Sequence, residues 1–339
     1  MTDKVKQMAP VIWEEIQKAN NILLHCHPNP DADSIGSVLA MMHFLKSLGK
    51  NVTAIIGDSE KPTNLDFLPG FDQIEPKNYF QIDNSKFDLF LILDSSSLDQ
   101  ISKKSEMIFP QKLRTVVVDH HSSNREFGQV NLVDTSYGSL AEMIYDLFKL
   151  WHVQISPQMA ICLFLGIYTD TGFRYPRTTS DTFAAASELA KIYPDFPEAI
   201  FKLENSEEPE RIKFIGLALS SVETYFNNNV AIAAVSFDQM EKLGIKARHT
   251  EKTDIPNYLK SVKGWNIGIK MNEVEVGKVS VSFRTRDASR WDVAKIATAT
   301  GSGGGHPAAA GATIKKPLAE AKTFLLETIE KVYPELGTP

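Results

Sequence analysis

Four apolar runs in the first half of this chain each end on acids or imidazoles. ILLHCH opens into HPNPDADS, which carries His27, Asp31 and Asp33. FDLFLILD ends on Asp94, RTVVVDHH on Asp119, His120 and His121, and ICLFLGIYTD on Asp170. Apolar runs of about four to eight residues rich in Val, Ile and Phe are the pattern of buried parallel strands. In an open parallel sheet, ligands bind beyond the carboxyl ends of the strands. Three of these groups fall at such ends, so distant stretches of sequence converge on one crevice. Five carboxylates and several imidazoles gathered there repel one another or take up protons unless a cation lies among them. The pattern therefore predicts a metal site.

The chain has 339 residues, more than one ordinary domain needs and enough for two. Its 43% hydrophobic and 23% charged content is that of a soluble globular protein. A net charge of −6 argues against a general nucleic-acid coat or a binder of anionic membranes. It leaves room for a small anionic substrate, because metal ions and a few arginines dominate the field in a cleft. The two cysteines, Cys26 and Cys162, both lie in apolar runs and fit buried free thiols of a cytoplasmic protein. The first residues have the pattern of an amphipathic helix, without the apolar core of a signal peptide. No apolar run approaches the roughly 20 residues that span a bilayer, so no membrane partner is expected.

Strands are expected near 22–27, 52–57, 89–94, 115–119 and 130–133, with helices near 34–48, 138–151, 157–168 and 180–192. This alternation predicts an α/β domain over residues 1–195, with a parallel sheet and helices on both faces. Ser34 is the expected N-cap of the first of these helices and Gly49 its stop. Residues 196–226 turn helical and charged and are expected to form a connector. Short strands VAIAAVSF, WNIGIKMNE and KVSVSFRTR then begin a smaller α/β domain over 227–339. A helix near 291–299, a glycine-rich turn, a strand near 312–315 and a closing helix near 318–332 complete it.

Each motif taken singly has an ordinary explanation. HPNPDAD has the composition of a turn that caps a helix, and Asp170 in YTDTG fits a helix terminus. Two histidines directly after an aspartate at a strand end weigh toward function. The conjunction of four segments decides. Pro28 and Pro30 stiffen the approach to Asp31, and the positive end of the following helix suits phosphate. Mixed carboxylate and imidazole ligation suits Mn²⁺, Fe²⁺ or Zn²⁺ and tolerates Mg²⁺. The ligands exceed the needs of one ion. Two ions about 3.5–4 Å apart would use them, lower the pKa of a shared water and clamp a phosphoryl group for in-line attack.

HPNPDADSIGS, LILDSS, VVDHH and YTDTG, in this order, resemble the four motifs of the DHH phosphoesterase superfamily across the whole first domain. The resemblance implies that His27 and Asp31 hold one metal ion, that Asp94 bridges, and that Asp33, His120 and Asp170 hold the second. It implies Mn²⁺ as the ion, with Mg²⁺ as an alternative. His121 would contact the phosphate and assist the leaving oxygen, and Asp119 would orient a neighbouring imidazole. His25 alternates onto the same strand side as His27 and is expected to lie behind the ligands. The stretch after TDTG is one residue shorter than the family's, so Arg174 and Tyr175 receive no role.

GSGGGHPAAAG at 301–311 is the second strong feature. Gly303, Gly304 and Gly305 allow backbone N–H groups to approach a ligand, and His306 adds a donor for an anion. In SFRTR, alternation puts Arg284 and Arg286 on one strand face. Either suits a bidentate grip on phosphate, and Arg284 is taken as the substrate residue. With WDVAKIA, these segments resemble the DHH-associated C-terminal domain of the nanoRNase/pAp phosphatase branch. In that branch the domain binds the nucleotide part of the substrate across a cleft from the metals. The implied partners are short RNA oligonucleotides or nucleotide bisphosphates (pAp, pApA), and a homodimer is implied by the same resemblance. A polyphosphate- or pyrophosphate-cleaving hydrolase is the runner-up, followed by a nucleotide-binding module without turnover.

Overall fold

The computed structural model describes residues 1–205, 207–251 and 253–336. The chain divides into two compact units, Met1–Ser206 and Glu207–Pro339. In the first, α1 (Asp3–Lys18) precedes β1 (Asn21–His25), α2 (Ala32–Ser47) and β2 (Asn51–Ile55). Then come β3 (Ile74–Glu75), β4 (Leu89–Leu93), β5 (Arg114–Asp119) and β6 (Val130–Val133). Helices α3 (Leu140–Leu150), α4 (Pro157–Thr171), α5 (Ser180–Ile192) and α6 (Phe196–Glu204) follow. The six strands pair in the order β3-β2-β1-β4-β5-β6, every pair parallel.

The expected α/β class and parallel sheet are present, but the α-helices do not cover both faces. Ile22, Leu24, Leu91, Leu93, Val116 and Val118 point into a core shared with all six α-helices. Leu23, Ile55, Phe90, Ile92 and Val117 face the other way, onto Tyr79, Ile101 and Leu113. Among the described residues that second face is covered by loops and single 3₁₀ turns. The crossovers that lie there are rich in Asp, Asn, Ser and Lys and carry no sustained apolar stripe for an α-helix to bury.

The second unit holds α7 (Pro209–Ser220), β7 (Glu223–Tyr225), β8 (Val230–Val235), α8 (Phe237–Lys242) and α9 (Ile255–Ser261). Next come β9 (Ile267–Glu275), β10 (Lys278–Thr285), α10 (Val293–Ala299), β11 (Gly303–His306), β12 (Ala309–Ile314) and α11 (Leu318–Val332). Its six-stranded sheet runs β11-β12-β10-β9-β8-β7, with β8 and β9 parallel and the other pairs antiparallel. Helices α10 and α11 pack on one face through Ile296, Ala321, Leu325 and Ile329. Phe214, Ala218, Met240, Ile255 and Leu259 of α7, α8 and α9 cover β8 on the other.

Residues 196–226 do not stand apart as a connector. Helix α6 buries Ala199 in the first unit's core, while α7 buries Phe214 and Ala218, one turn apart, in the second. Strand β7 joins the second sheet. The glycine-rich segment, expected as a turn, is largely the strand β11, hydrogen-bonded to β12. Among the described residues no helix is long and apolar enough to cross a membrane. Cys26 and Cys162 are free and buried.

Candidate metal centre

The strand order reverses direction between β1 and β4, and a parallel sheet opens a crevice at such a point. The loop after β1 supplies His27, Asp31 and the start of α2. Asp94 follows β4, Asp119 closes β5, and His120 and His121 come directly after it. Asp170 comes from elsewhere: it lies on the last turn of α4, before the left-handed C-cap Gly172. Helix α4 packs tightly on α2, because Gly36 and Gly166 bring no side chain to the interface. A β-carbon on Gly36 would lie 2.3 Å from the Cys162 carbonyl oxygen, and one on Gly166 would lie 2.8 Å from Asp33 Oδ1. That close packing carries Asp33 and Asp170 to the same place.

Asp94 is the hub. Its Oδ2 lies 3.3 Å from His27 Nε2, and its Oδ1 lies 3.4 Å from His120 Nε2 and 3.5 Å from His121 Nδ1. His27 Nε2 also lies 3.7 Å from Asp31 Oδ1. His120 Nε2 is 3.7 Å from Asp33 Oδ2 and 3.6 Å from Asp170 Oδ2. Potential ligand atoms cluster as His27–Asp31–Asp94, as Asp33–His120–Asp170 and as Asp94–His120–His121, each set within 4.8 Å. All six residues expected as ligands are thus brought together, with Asp94 shared. Asp94 is itself held in the left-handed region, at φ 55°, a conformation a non-glycine residue keeps only when its surroundings over-determine it.

Asp31, not Ser34, caps α2: Asp31 Oδ1 accepts from Ser34 N at 3.1 Å, and the helix begins two residues earlier than expected. The Ser34 hydroxyl accepts from His27 N at 3.3 Å instead. Helix capping and ligation are therefore not alternatives for Asp31. Asp33 accepts from Leu140 N at 2.6 Å and Ala141 N at 2.8 Å, so it also anchors the first turn of α3.

The electrostatics are those of a crowded set of carboxylates and imidazoles that shift one another's pKa values. Burial opposes the imidazolium of His27, yet the carboxylates of Asp31 and Asp94 outweigh it and push His27 up to about 11. His120, likewise buried, is carried up to about 10 by Asp94 and Asp33. Burial and the charge of Asp94 push Asp33 up to about 7. Burial and the neighbouring aspartates raise Asp170 well above the usual carboxylate range. For Asp94 burial works the other way, but the His120 and His27 imidazoles hold it below that range. Asp94 Oδ1 and His120 Nε2 are both buried with no hydrogen-bond partner. Orphaned polar atoms of a carboxylate and an imidazole, facing each other, fit the coordination of a divalent cation.

Behind this set lies Asp119, fully buried. Its Oδ1 accepts from His121 Nδ1 at 2.8 Å, so the imidazole that Asp119 orients is that of His121. Asn124, which the sequence reading did not single out, donates to Asp119 Oδ2 at 2.6 Å. Its only sequence signal is its place three residues after the paired histidines. His25 points into the loop-covered core instead. Its Nε2 lies 3.1 Å from the Ile101 carbonyl oxygen, its ring meets Phe90 edge-on, and burial lowers it to about 3. Arg174 lies over the Tyr175 ring at 5.2 Å.

In the second unit, Arg284, Ala309 and His306 are paired in register across β10, β12 and β11, as are Ser282, Gly311 and Gly304. Residues directly opposite in a sheet share a face, so Arg284, His306 and Gly304 form one surface. Gly303 and Gly305 belong to the other face. A β-carbon on Gly303 would lie 2.6 Å from the Ala297 carbonyl oxygen of α10, and one on Gly305 would lie 2.6 Å from the Ala310 Cα. Of the three glycines, only Gly304 presents open space. Arg284 Nη1 donates to its neighbour's carbonyl, Phe283 O, at 2.9 Å, while Arg286 Nη1 donates to Val262 O at 2.8 Å.

Residues 21–167 match the DHH family N-terminal domain, and residues 227–335 match the DHHA1 domain. The chain is 28% identical over 338 residues to the bifunctional oligoribonuclease and PAP phosphatase NrnA of Thermus thermophilus, covering 97% of each chain. It is 28% identical over 301 residues to the protein of the same description from Bacillus subtilis, covering 87% of this chain and 90% of that one. Among solved structures, an exopolyphosphatase-related protein from Bacteroides fragilis superposes with a TM-score of 0.87 at 23% identity, covering 98% of each chain. With a DHH domain followed by a DHHA1 domain, the chain belongs to the DHH family of phosphoesterases.

Proposed function

We propose that this protein is a Mn²⁺-dependent phosphoesterase that hydrolyses short oligoribonucleotides and removes phosphate from nucleotide bisphosphates such as pAp. The observation that carries this reading is the shared Asp94, flanked by two groups of carboxylates and imidazoles. His27, Asp31 and Asp94 would hold one ion. Asp33, His120 and Asp170, again with Asp94, would hold the other. Bound there, two divalent ions supply the charge that acidifies a water at neutral pH and polarises a phosphoryl group.

The protein's own residues divide the remaining work. Asp119 takes up His121 Nδ1–H and, with Asp94, favours the charged ring. The imidazolium would keep a second proton on Nε2 to donate to a phosphoryl oxygen or pass to the leaving oxygen. Burial of Asp33, Asp94 and His120 excludes bulk water from one side of the cluster, which strengthens each interaction inside it. On the DHHA1 unit, Arg284 and His306 are the residues for a substrate phosphate, with Gly304 keeping that surface open. The NrnA relatives, named for oligoribonuclease and PAP phosphatase activities, support this substrate class.

The deciding assay is turnover with Mn²⁺ on pAp, a 5′-phosphorylated RNA dinucleotide, a cyclic dinucleotide and pyrophosphate, side by side. Hydrolysis of the dinucleotide and pAp with pyrophosphate untouched is expected. Cleavage of pyrophosphate alone, or of nothing, contradicts the proposal.

A further inference from the structure

Asn124 joins the two turns that carry the central residues of the site. Its side-chain amide donates to Asp119 Oδ2 at 2.6 Å and to the Ser95 carbonyl oxygen at 3.1 Å. Its Oδ1 accepts from Glu126 N at 2.7 Å. A flipped amide would turn its oxygen toward a carboxylate and a carbonyl and its NH₂ toward a backbone N–H, so the three contacts fix one orientation.

Both anchors matter to the site. Ser95 directly follows Asp94, whose left-handed backbone needs support from outside its own turn. Asp119 is fully buried. Its Oδ1 takes the N–H groups of His120 and His121 and the His121 ring Nδ1. Among the described residues Asn124 is the donor to Oδ2. A buried carboxylate is held in one orientation only when both its oxygens are satisfied.

We propose that Asn124 is a positioning residue, which locks the Asp119 carboxylate onto His121 Nδ1 and ties the Asp94 turn to the His120–His121 turn. It touches neither substrate nor ion. The inference rests on the role given above to His121.

An ordinary turn asparagine would need only the bond from Glu126 N to Oδ1. Asn124→Asp keeps that acceptor and replaces both donors with an oxygen facing Asp119. Asn124→Ser keeps an acceptor without adding charge, and serves if the Asp variant does not fold. In the folded variant, kcat on the dinucleotide should fall about 10–100-fold, the usual cost of losing a partner behind the ligands, with KM unchanged. Long-range ¹H–¹⁵N spectra of the Mg²⁺-loaded protein, recorded at a pH where the His121 ring is neutral, should show its proton predominantly on Nδ1 in the wild type and mixed between its nitrogens in the variant. An unchanged kcat, or an unchanged His121 tautomer, overturns the proposal. If the wild type turns over no phosphoester, the functional reading fails, while the spectra still decide whether Asn124 controls His121.

Discussion

Asp94 Oδ1 and His120 Nε2 lie 3.4 Å apart, both buried, and neither has a hydrogen-bond partner among the described residues. Their charges attract, but neither atom finds a directed hydrogen bond, an arrangement that a divalent cation between them would complete. Asp94 also reaches both groups of ligands.

Asp94→Asn should therefore abolish phosphoester hydrolysis, losing more than the roughly 100-fold typical of residues behind the ligands. The metal-free fold should survive with a lowered melting temperature, because the amide keeps the volume of the carboxylate but loses the charge that holds His27 and His120. Circular dichroism and thermal melting in EDTA, set beside steady-state kinetics, check both halves. Near wild-type turnover would exclude Asp94 as the shared ligand.

Metal affinity should rise with pH. Asp33 sits up to about 7, and His27 and His120 near 11 and 10, all above their ordinary values. The metal-free fold thus binds more protons at these groups than the unfolded chain does. Their stabilisation of the metal-free fold is complete below the ordinary values and is lost as pH climbs toward the folded ones. Those same protons compete with the ion. Calorimetry between about pH 6 and 8 should show Mn²⁺ binding tighten with pH and release protons, seen as a buffer-dependent enthalpy. A pH-independent affinity would contradict the protonated cluster.

His306→Ala should raise KM for pAp about tenfold or more while leaving kcat, since a hydrogen bond to a charged group contributes about 1.5–3 kcal/mol. The neighbouring glycines separate substrate contact from packing. Gly303→Ala should lower the melting temperature, because its β-carbon would meet α10 and Ala312 at 2.6 Å. Gly304→Ala should leave stability intact. Equal melting losses for both would contradict the assignment of Gly304 to the open face.

Gly36→Ala drives a β-carbon to 2.3 Å from the Cys162 carbonyl oxygen. Overpacking of this kind costs about 1–3 kcal/mol, and separating α2 from α4 moves Asp33 relative to Asp170. Denaturant unfolding should show the loss, and calorimetry a weakened second ion. Unchanged stability would mean that the two helices are free to part.

The parallel sheet was legible because β4 and β5 are nearly continuous apolar runs, and the ligands because each stands at the end of such a run or beside a glycine turn. Other features depended on contacts between distant segments. Asn124 looks like any turn asparagine until Asp119 and Ser95 are seen on either side of its amide. Asp31 was legible as cap or ligand, and only the fold shows that one oxygen caps α2 while lying near His27. Gly303 and Gly305 shared a motif with Gly304, but strand pairing turned them to the opposite face. His25 was misplaced by counting alternation past the end of β1, beyond which His27 leaves the strand.

The most direct measurement is anomalous diffraction at the manganese edge from crystals grown with Mn²⁺. Two peaks about 3.5–4 Å apart, both within coordination distance of Asp94, are the predicted result. A single peak, or peaks away from Asp94, would contradict the two-ion site.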